Sequence, residues 1–228
     1  MLSFSSSLGA DNEAFAIFVS EKYDFRDKKN ILPSSTLQKI KLFLNTLKSK
    51  KNKEEITSFD ISEKKKCFVI LIKNKIESYS PQESGGTFFS YITQFKDIKI
   101  VDLYLDSCNL EKEKLINYFP QFIFGLNLKS YTFNKYKTLN KEKNKKKINF
   151  KLVTSLKEKI SNKYKYYDAI KEGVFLSRDL VSEPPNILNP KKYTEEIKKL
   201  SKLGLKVEIL NEVKLKKLGM NSLLGVGQ

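Results

Sequence analysis

Histidine and tryptophan are both absent from the 228 residues. The missing imidazole removes Ser-His-Asp and Cys-His nucleophile systems, H-E-x-x-H metalloproteases and histidine-bearing zinc fingers. Chemistry must then run on Lys, Asp, Glu, Tyr, Ser or a metal they hold. Cysteine is nearly as scarce: Cys67 and Cys108 are too few for a disulfide scaffold or a four-thiolate zinc site. No run of about 18 apolar residues exists to make a spanning helix. Met1 to Ala10 carry neither a cationic n-region nor an apolar h-region, so no secretory signal is expected and the chain is expected to be cytoplasmic. The formal net charge of +17 excludes an acidic-tail protein.

Arginine is the remaining scarcity. Arg26 and Arg178 stand alone, so 41 of the 43 basic residues are lysine. Base readout and bidentate phosphate contacts favour the rigid arginine fork, whereas lysine offers a point charge. Lys, Asn, Ile, Phe and Tyr, all abundant here, share A/T-rich codons. Genomic base composition expressed on solvated faces accounts for the charge; the alternative is an electrostatic footprint for nucleic acid or an acidic membrane. The densest run, Lys141-Glu142-Lys143-Asn144-Lys145-Lys146-Lys147, lies between apolar segments and reads as a solvated loop.

What is present is a foldable chain. With 40% hydrophobic residues, 16 Phe and 11 Tyr, it can bury a core. Ala14–Ser20, Lys66–Ile72, Ile98–Leu105 and Ile148–Val153 are short apolar runs that predict buried strands. Leu37, Ile40, Leu44 and Leu47 predict a helix over Ser35–Lys48, with Ser34 or Ser35 as its cap. Phe88, Ile92 and Phe95 predict another helix after Ser84-Gly85-Gly86. A third carries Leu115, Phe119, Phe122, Ile123 and Leu126, with Pro120 expected to bend or break it. A long helix over Lys163–Val181 ends before Pro184-Pro185. Asn189-Pro190 restarts a helix, Gly204 offers a left-handed cap, Leu205–Leu210 reads as a strand, Asn211 caps a short helix ended by Gly219, and Leu223–Val226 begins another strand. Strands alternating with helices argue for βαβ units and a largely parallel sheet.

Local motifs alone identify no reaction. Gly225-x-Gly227 lacks the third glycine and following helix of a dinucleotide fingerprint. Gly85-Gly86 is a candidate anion nest ahead of a helix, although a turn explains it more simply. Cys67 stands beside Lys64, Lys65 and Lys66, which would lower a thiol pKa, but the start of a buried strand suits a core residue. Asp102 and Asp106 fall on one face of a strand, a carboxylate pair without a further ligand. Arg178, Asp179 and Glu183 read as helix-end charges.

The segment Gly173-Val-Phe-Leu-Ser-Arg-Asp-Leu-Val-Ser-Glu-Pro-Pro-Asn186, then Asn189-Pro190, Leu205-Lys-Val-Glu-Ile-Leu210 and Leu218-Gly-Met-Asn-Ser-Leu-Leu-Gly-Val-Gly-Gln228, resembles the leucyl aminopeptidase (cytosol aminopeptidase, M17) family. Upstream, Gly85-Gly86 and Phe124-Gly125-Leu126-x-Leu128-x-x-Tyr131-x-Phe133-x-x-Tyr136-Lys137 are similar to the end of that family's N-terminal domain.

The resemblance implies an α/β protein: a macro-domain-like N-terminal sandwich over residues 1–160, joined by a long helix to an incomplete catalytic domain over 161–228. It implies a cytoplasmic homo-oligomer that releases N-terminal residues such as leucine from peptides with two divalent ions, manganese or zinc. In the family those ions are held by Lys, Asp and Glu without histidine, in keeping with a histidine-free chain. The family's metal ligands and catalytic Lys and Arg all follow the Gly-Val-Gly-Gln segment, so no catalytic, substrate-binding or metal residue is assigned here. The chain is accordingly expected to be an inactive, truncated aminopeptidase with a labile tail. The alternative is a non-catalytic macro-like module for nucleic acid or a phosphorylated ligand, and any nucleic-acid binding is expected to be weak and non-specific.

Overall fold

The computed structural model describes residues 3–9, 12–27, 30–50, 53–73, 80–138 and 148–226. The chain divides into two compact units, Met1–Glu172 and Gly173–Gln228. The first is built on a six-stranded sheet of β1 (Ser3–Ser5), β2 (Ala14–Ser20), β3 (Ile56–Ser62), β4 (Lys65–Ile72), β5 (Ile100–Tyr104) and β6 (Asn149–Val153). Its order is β1-β6-β5-β2-β4-β3, parallel throughout except where β3 runs antiparallel to β4.

Every residue of β2 is buried, because helices cover both faces of the sheet. This is why its sequence, AFAIFVS, runs apolar without alternation. Phe15, Ile17 and Val19 meet Ile40, Leu44 and Leu47 of α1 (Ser34–Lys48). Alternate residues Ala14, Ala16 and Phe18 face α2 (Ser80–Ile92) and α3 (Lys112–Ser130). There Phe18 sits edge-on to Phe119 and Phe122, with ring centroids 4.9 and 5.2 Å away. The cap expected at Ser34 or Ser35 falls instead on Pro33, whose carbonyl accepts the Leu37 N–H at 3.0 Å without a side-chain cap.

The helices α2 and α3 approach so closely that two glycines are required. A Cβ on Gly85 would overlap the Phe122 carbonyl oxygen, and one on Gly125 would overlap the Gln82 carbonyl oxygen. Gly85-Gly86 therefore lie inside α2, not ahead of it, and Phe95 falls beyond its end. Pro120 does not break α3 either, which runs on to Ser130. A helix-interior proline costs about 3 kcal/mol. Buried Leu115, Phe119, Phe122 and Ile123 each return roughly 1.5–3 kcal/mol, so packing outweighs the lost hydrogen bond.

Helix α4 (Lys157–Ser182) starts earlier than its periodicity predicts, and its last residues belong to the second unit. Ile160 is buried in the α2–α3 side of the core, and the Asn127 amide donates to the Tyr164 hydroxyl at 2.9 Å. In the second unit Asn189 caps α5 (Pro190–Lys199), its side chain accepting the Lys192 N–H at 3.0 Å. Asn211 caps α6 (Glu212–Lys217) in the same way. Gly204 and Gly219 take φ values of 85° and 70°, the left-handed conformation that ends each helical segment.

Two expected strands are absent. Leu205–Leu210 has no regular structure, and Asn221–Val226 forms a short helix, α7. A strand requires a neighbour for its N–H and C=O groups, and among the described residues the second unit holds no strand to pair with. Asn221–Val226 instead turns into a short helix, at whose start the Leu224 N–H donates to the Met220 carbonyl at 3.3 Å.

The glycine contact is directly testable. Gly85→Ala and Gly125→Ala should each destabilise the chain by about 1–3 kcal/mol or more, read as a lower urea midpoint. Gly173→Ala, in open space on α4, should be neutral or stabilising by up to about 1 kcal/mol.

Candidate functional site

The residues singled out from sequence do not converge. Cys67 is fully buried in β4, and burial pushes its thiol well above the ordinary value despite the neighbouring lysines. Burial likewise pushes Cys108 up to about 12. Asp102 and Asp106 do not share a strand face, because β5 ends at Tyr104 and Asp106 lies in a tight turn over Leu105–Ser107. Both are fasteners. Asp102, fully buried, accepts the Gly9 N–H at 2.6 Å and ties the segment before β2 to β5. Asp106 accepts the Thr154 hydroxyl and the Ser155 N–H, both at 2.7 Å, fixing the chain between β6 and α4.

Gly85 and Gly86 have no exposed helix N-terminus to offer an anion, since both lie within α2. Arg178, Asp179 and Glu183 lie at the end of α4, where the Glu183 N–H donates to the Asp179 carbonyl at 3.1 Å. Gly225 is in α7, while Gly227 and the Lys141–Lys147 run lie outside the described residues. Among the described residues no group of three or more Cys, Asp or Glu is placed to hold a metal ion.

A concave site does exist where no motif marks it. A cleft of about 350 Å³ opens beside the carboxyl end of β2, lined by Tyr23, Asp24, Phe25, Leu44, Asn109 and a polar face of α1. That face presents Lys41, Asn45 and Lys48. Their spacing of four and three is the one signal that sequence carried, and on a lysine-rich helix it is indistinguishable from ordinary solvation.

The comparisons with known proteins decide the family. A profile of the "Cytosol aminopeptidase family, catalytic domain" matches residues 175–228. A probable cytosol aminopeptidase of Agrobacterium fabrum is 40% identical over 158 residues, covering 68% of this chain and 31% of that protein. Its counterpart in Phytoplasma mali is 38% identical over 151 residues, covering 64% of this chain and 29% of its own length. The chain belongs to the cytosol aminopeptidase family. It spans about a third of the length of these curated relatives.

The fold agrees. A tomato leucine aminopeptidase structure superposes with a TM-score of 0.68 at 18% identity, over 96% of this chain and 46% of that one. A bottromycin maturation enzyme gives 0.60 at 12% identity, over 91% of this chain and 41% of that one. Cytosol aminopeptidases of this family are metal-dependent, but the described residues of this chain do not fit a two-metal centre, since they bring no ligand set together.

Buried acids set a pH limit. Tyr104 and Tyr118 are raised by burial, and Tyr164 is pushed up to about 12, again chiefly by burial. These groups and the two thiols hold their protons in the fold longer than in the unfolded chain. The unfolded state therefore binds fewer protons at high pH, and stability falls as pH rises. Urea midpoints should be level up to about pH 8.5 and decline progressively through about pH 10 and above. Both thiols should resist a disulfide reagent at pH 8 until urea unfolds the chain.

Proposed function

We propose that this chain supplies the N-terminal domain and the opening elements of the catalytic domain of a metal-dependent aminopeptidase. The whole enzyme releases N-terminal residues such as leucine from peptides, in the cytoplasm, as a homo-oligomer. The observation that carries this reading is the segment 175–228. It matches the family's catalytic domain, yet its apolar side chains are uncovered: Leu203 is 78% exposed, Val213 61%, Leu223 60% and Val226 87%. Burying one such side chain is worth roughly 1.5–3 kcal/mol, so these positions favour a covering layer of further catalytic-domain structure.

The part played by this chain is architectural. The first unit is the scaffold, and α4 carries the backbone into the catalytic domain. The two divalent ions, manganese or zinc, are assigned to the portion of the family enzyme for which this chain has no matching positions. A bottromycin maturation enzyme of related fold is recorded in complex with Mn. Nucleic acid enters this reading only as a weak, salt-sensitive contact through scattered lysines.

The purified 228-residue chain, freed of host peptidases, should release no leucine from leucine p-nitroanilide with manganese or zinc present. A chimaera continuing from Gln228 into the remainder of the Agrobacterium fabrum relative should release it. Turnover by the 228-residue chain alone, or none by a folded, metal-loaded chimaera, would contradict the proposal.

A further inference from the structure

We propose that the cleft beside α1 binds a small zwitterion, a free amino acid or short peptide, with its α-ammonium at Asp24 and its α-carboxylate between Lys41 and Lys48. The position is the first reason. From β2 the chain crosses through α1 to the β3–β4 side of the sheet, then returns through α2 to β5 on the other side of β2. The strand order thus reverses between β2 and β5. In open α/β sheets ligands favour the crevice beyond the carboxyl ends of the strands at such a reversal. Tyr23, Asp24 and Phe25 follow β2 there, and Asn109 follows β5.

The loop is also fixed in advance. Tyr23 adopts φ 55°, a left-handed conformation uncommon for a bulky residue. It is held by its N–H donating to the Ser20 carbonyl at 2.8 Å and by Lys53 lying 5.7 Å from its ring centroid. Phe25 pairs through its backbone with Cys108, and the Arg26 N–H donates to the Ser107 carbonyl at 2.9 Å. Ser107 in turn accepts the Phe18 N–H on its hydroxyl at 2.7 Å. A loop stitched at these points does not have to be ordered by the ligand, which favours binding.

Charge selects the ligand class. Lys41, Asn45 and Lys48 line one helix face, with the two lysines about 10 Å apart along the axis and Asn45 between them. An anion seated over Asn45 lies within reach of both ammonium groups. Asp24 faces the same cleft, and its Oδ2 accepts the Ser20 hydroxyl at 3.1 Å. A simple anion leaves Asp24 opposed by like charge, and a simple cation is repelled by the lysines; a zwitterion satisfies both. Buried Leu44 offers an apolar floor, and the volume of about 350 Å³ admits leucine or a dipeptide. Such molecules are also what the reaction proposed above consumes and releases, but the chemistry of the cleft argues for them independently.

Calorimetric titration of the full 228-residue chain tests this, with leucine, leucyl-leucine, N-acetylleucine, leucinamide and adenosine monophosphate as probes. Leucine or leucyl-leucine should bind saturably, and the preferred one of the two separates a free amino acid from a peptide. N-acetylleucine lacks the ammonium and leucinamide the carboxylate, so each should bind about tenfold or more weakly. Asp24→Asn and the double change Lys41→Gln with Lys48→Gln should weaken binding to a similar degree with circular dichroism unchanged, while the exposed Lys202→Gln should have no effect. Absence of saturable binding by both zwitterions, indifference to the cleft variants, or preference for adenosine monophosphate would overturn the assignment.

Discussion

At the crossing of α2 and α3 two backbones touch where side chains ordinarily keep helices apart, and the core on that side of the sheet depends on the contact. Gly85 stands against the Phe122 carbonyl and Gly125 against that of Gln82, so neither position has room for a methyl group. The approach lets a run of rings close over the strands. Phe68 on β4 lies 5.6 Å from Phe88 on α2, Phe88 lies 6.0 Å from Phe122 on α3, and Phe122 lies 5.2 Å from Phe18 on β2. Widening the crossing by one carbon would separate rings whose dispersion and edge-to-face contacts fall off within an ångström.

The two units differ sharply in how much they bury. The first has helices on both sheet faces and polar fasteners at Asp102, Asp106 and Ser107 that tie its loops to its strands. In the second, among the described residues, none is buried, and α5, α6 and α7 rest on caps and local hydrogen bonds. Helices of six to ten residues are marginal on local interactions alone. The segment closest in sequence to a catalytic domain is thus the part of the chain with the least core of its own.

Much of the fold was legible because burial leaves a plain record. The continuous apolar runs of β2, β4, β5 and β6 and the Leu37–Leu47 periodicity of α1 announced themselves, as did the Asn189 and Asn211 caps. Ser3–Ser5 is too short to read, and the mixed Ile56–Ser62 follows the weaker pattern of an edge strand. Errors arose where a local preference met a tertiary contact. Gly85-Gly86 reads as a turn until Gly125 is placed beside it, although both glycines already stood in the family resemblance. Pro120 reads as a break until the burial around it is counted. Leu205–Leu210 and Leu223–Val226 have strand composition but lack described neighbours to make strands of them. The cleft was hidden because Asp24, Lys41 and Asn109 come from three separate parts of the chain, and lysine is too common here to signal a site.

The first unit completes its own core, and the second does not. Amide hydrogen exchange on the 228-residue chain measures this residue by residue, since protection tracks the free energy of local opening. The slowest amides should lie in β2, β4 and β5 and around Gly85 and Gly125, whereas amides from Ile187 to Val226 should exchange near the rate of an unstructured peptide. Protection of α5, α6 and α7 equal to that of β2, in a monodisperse monomer, would contradict it.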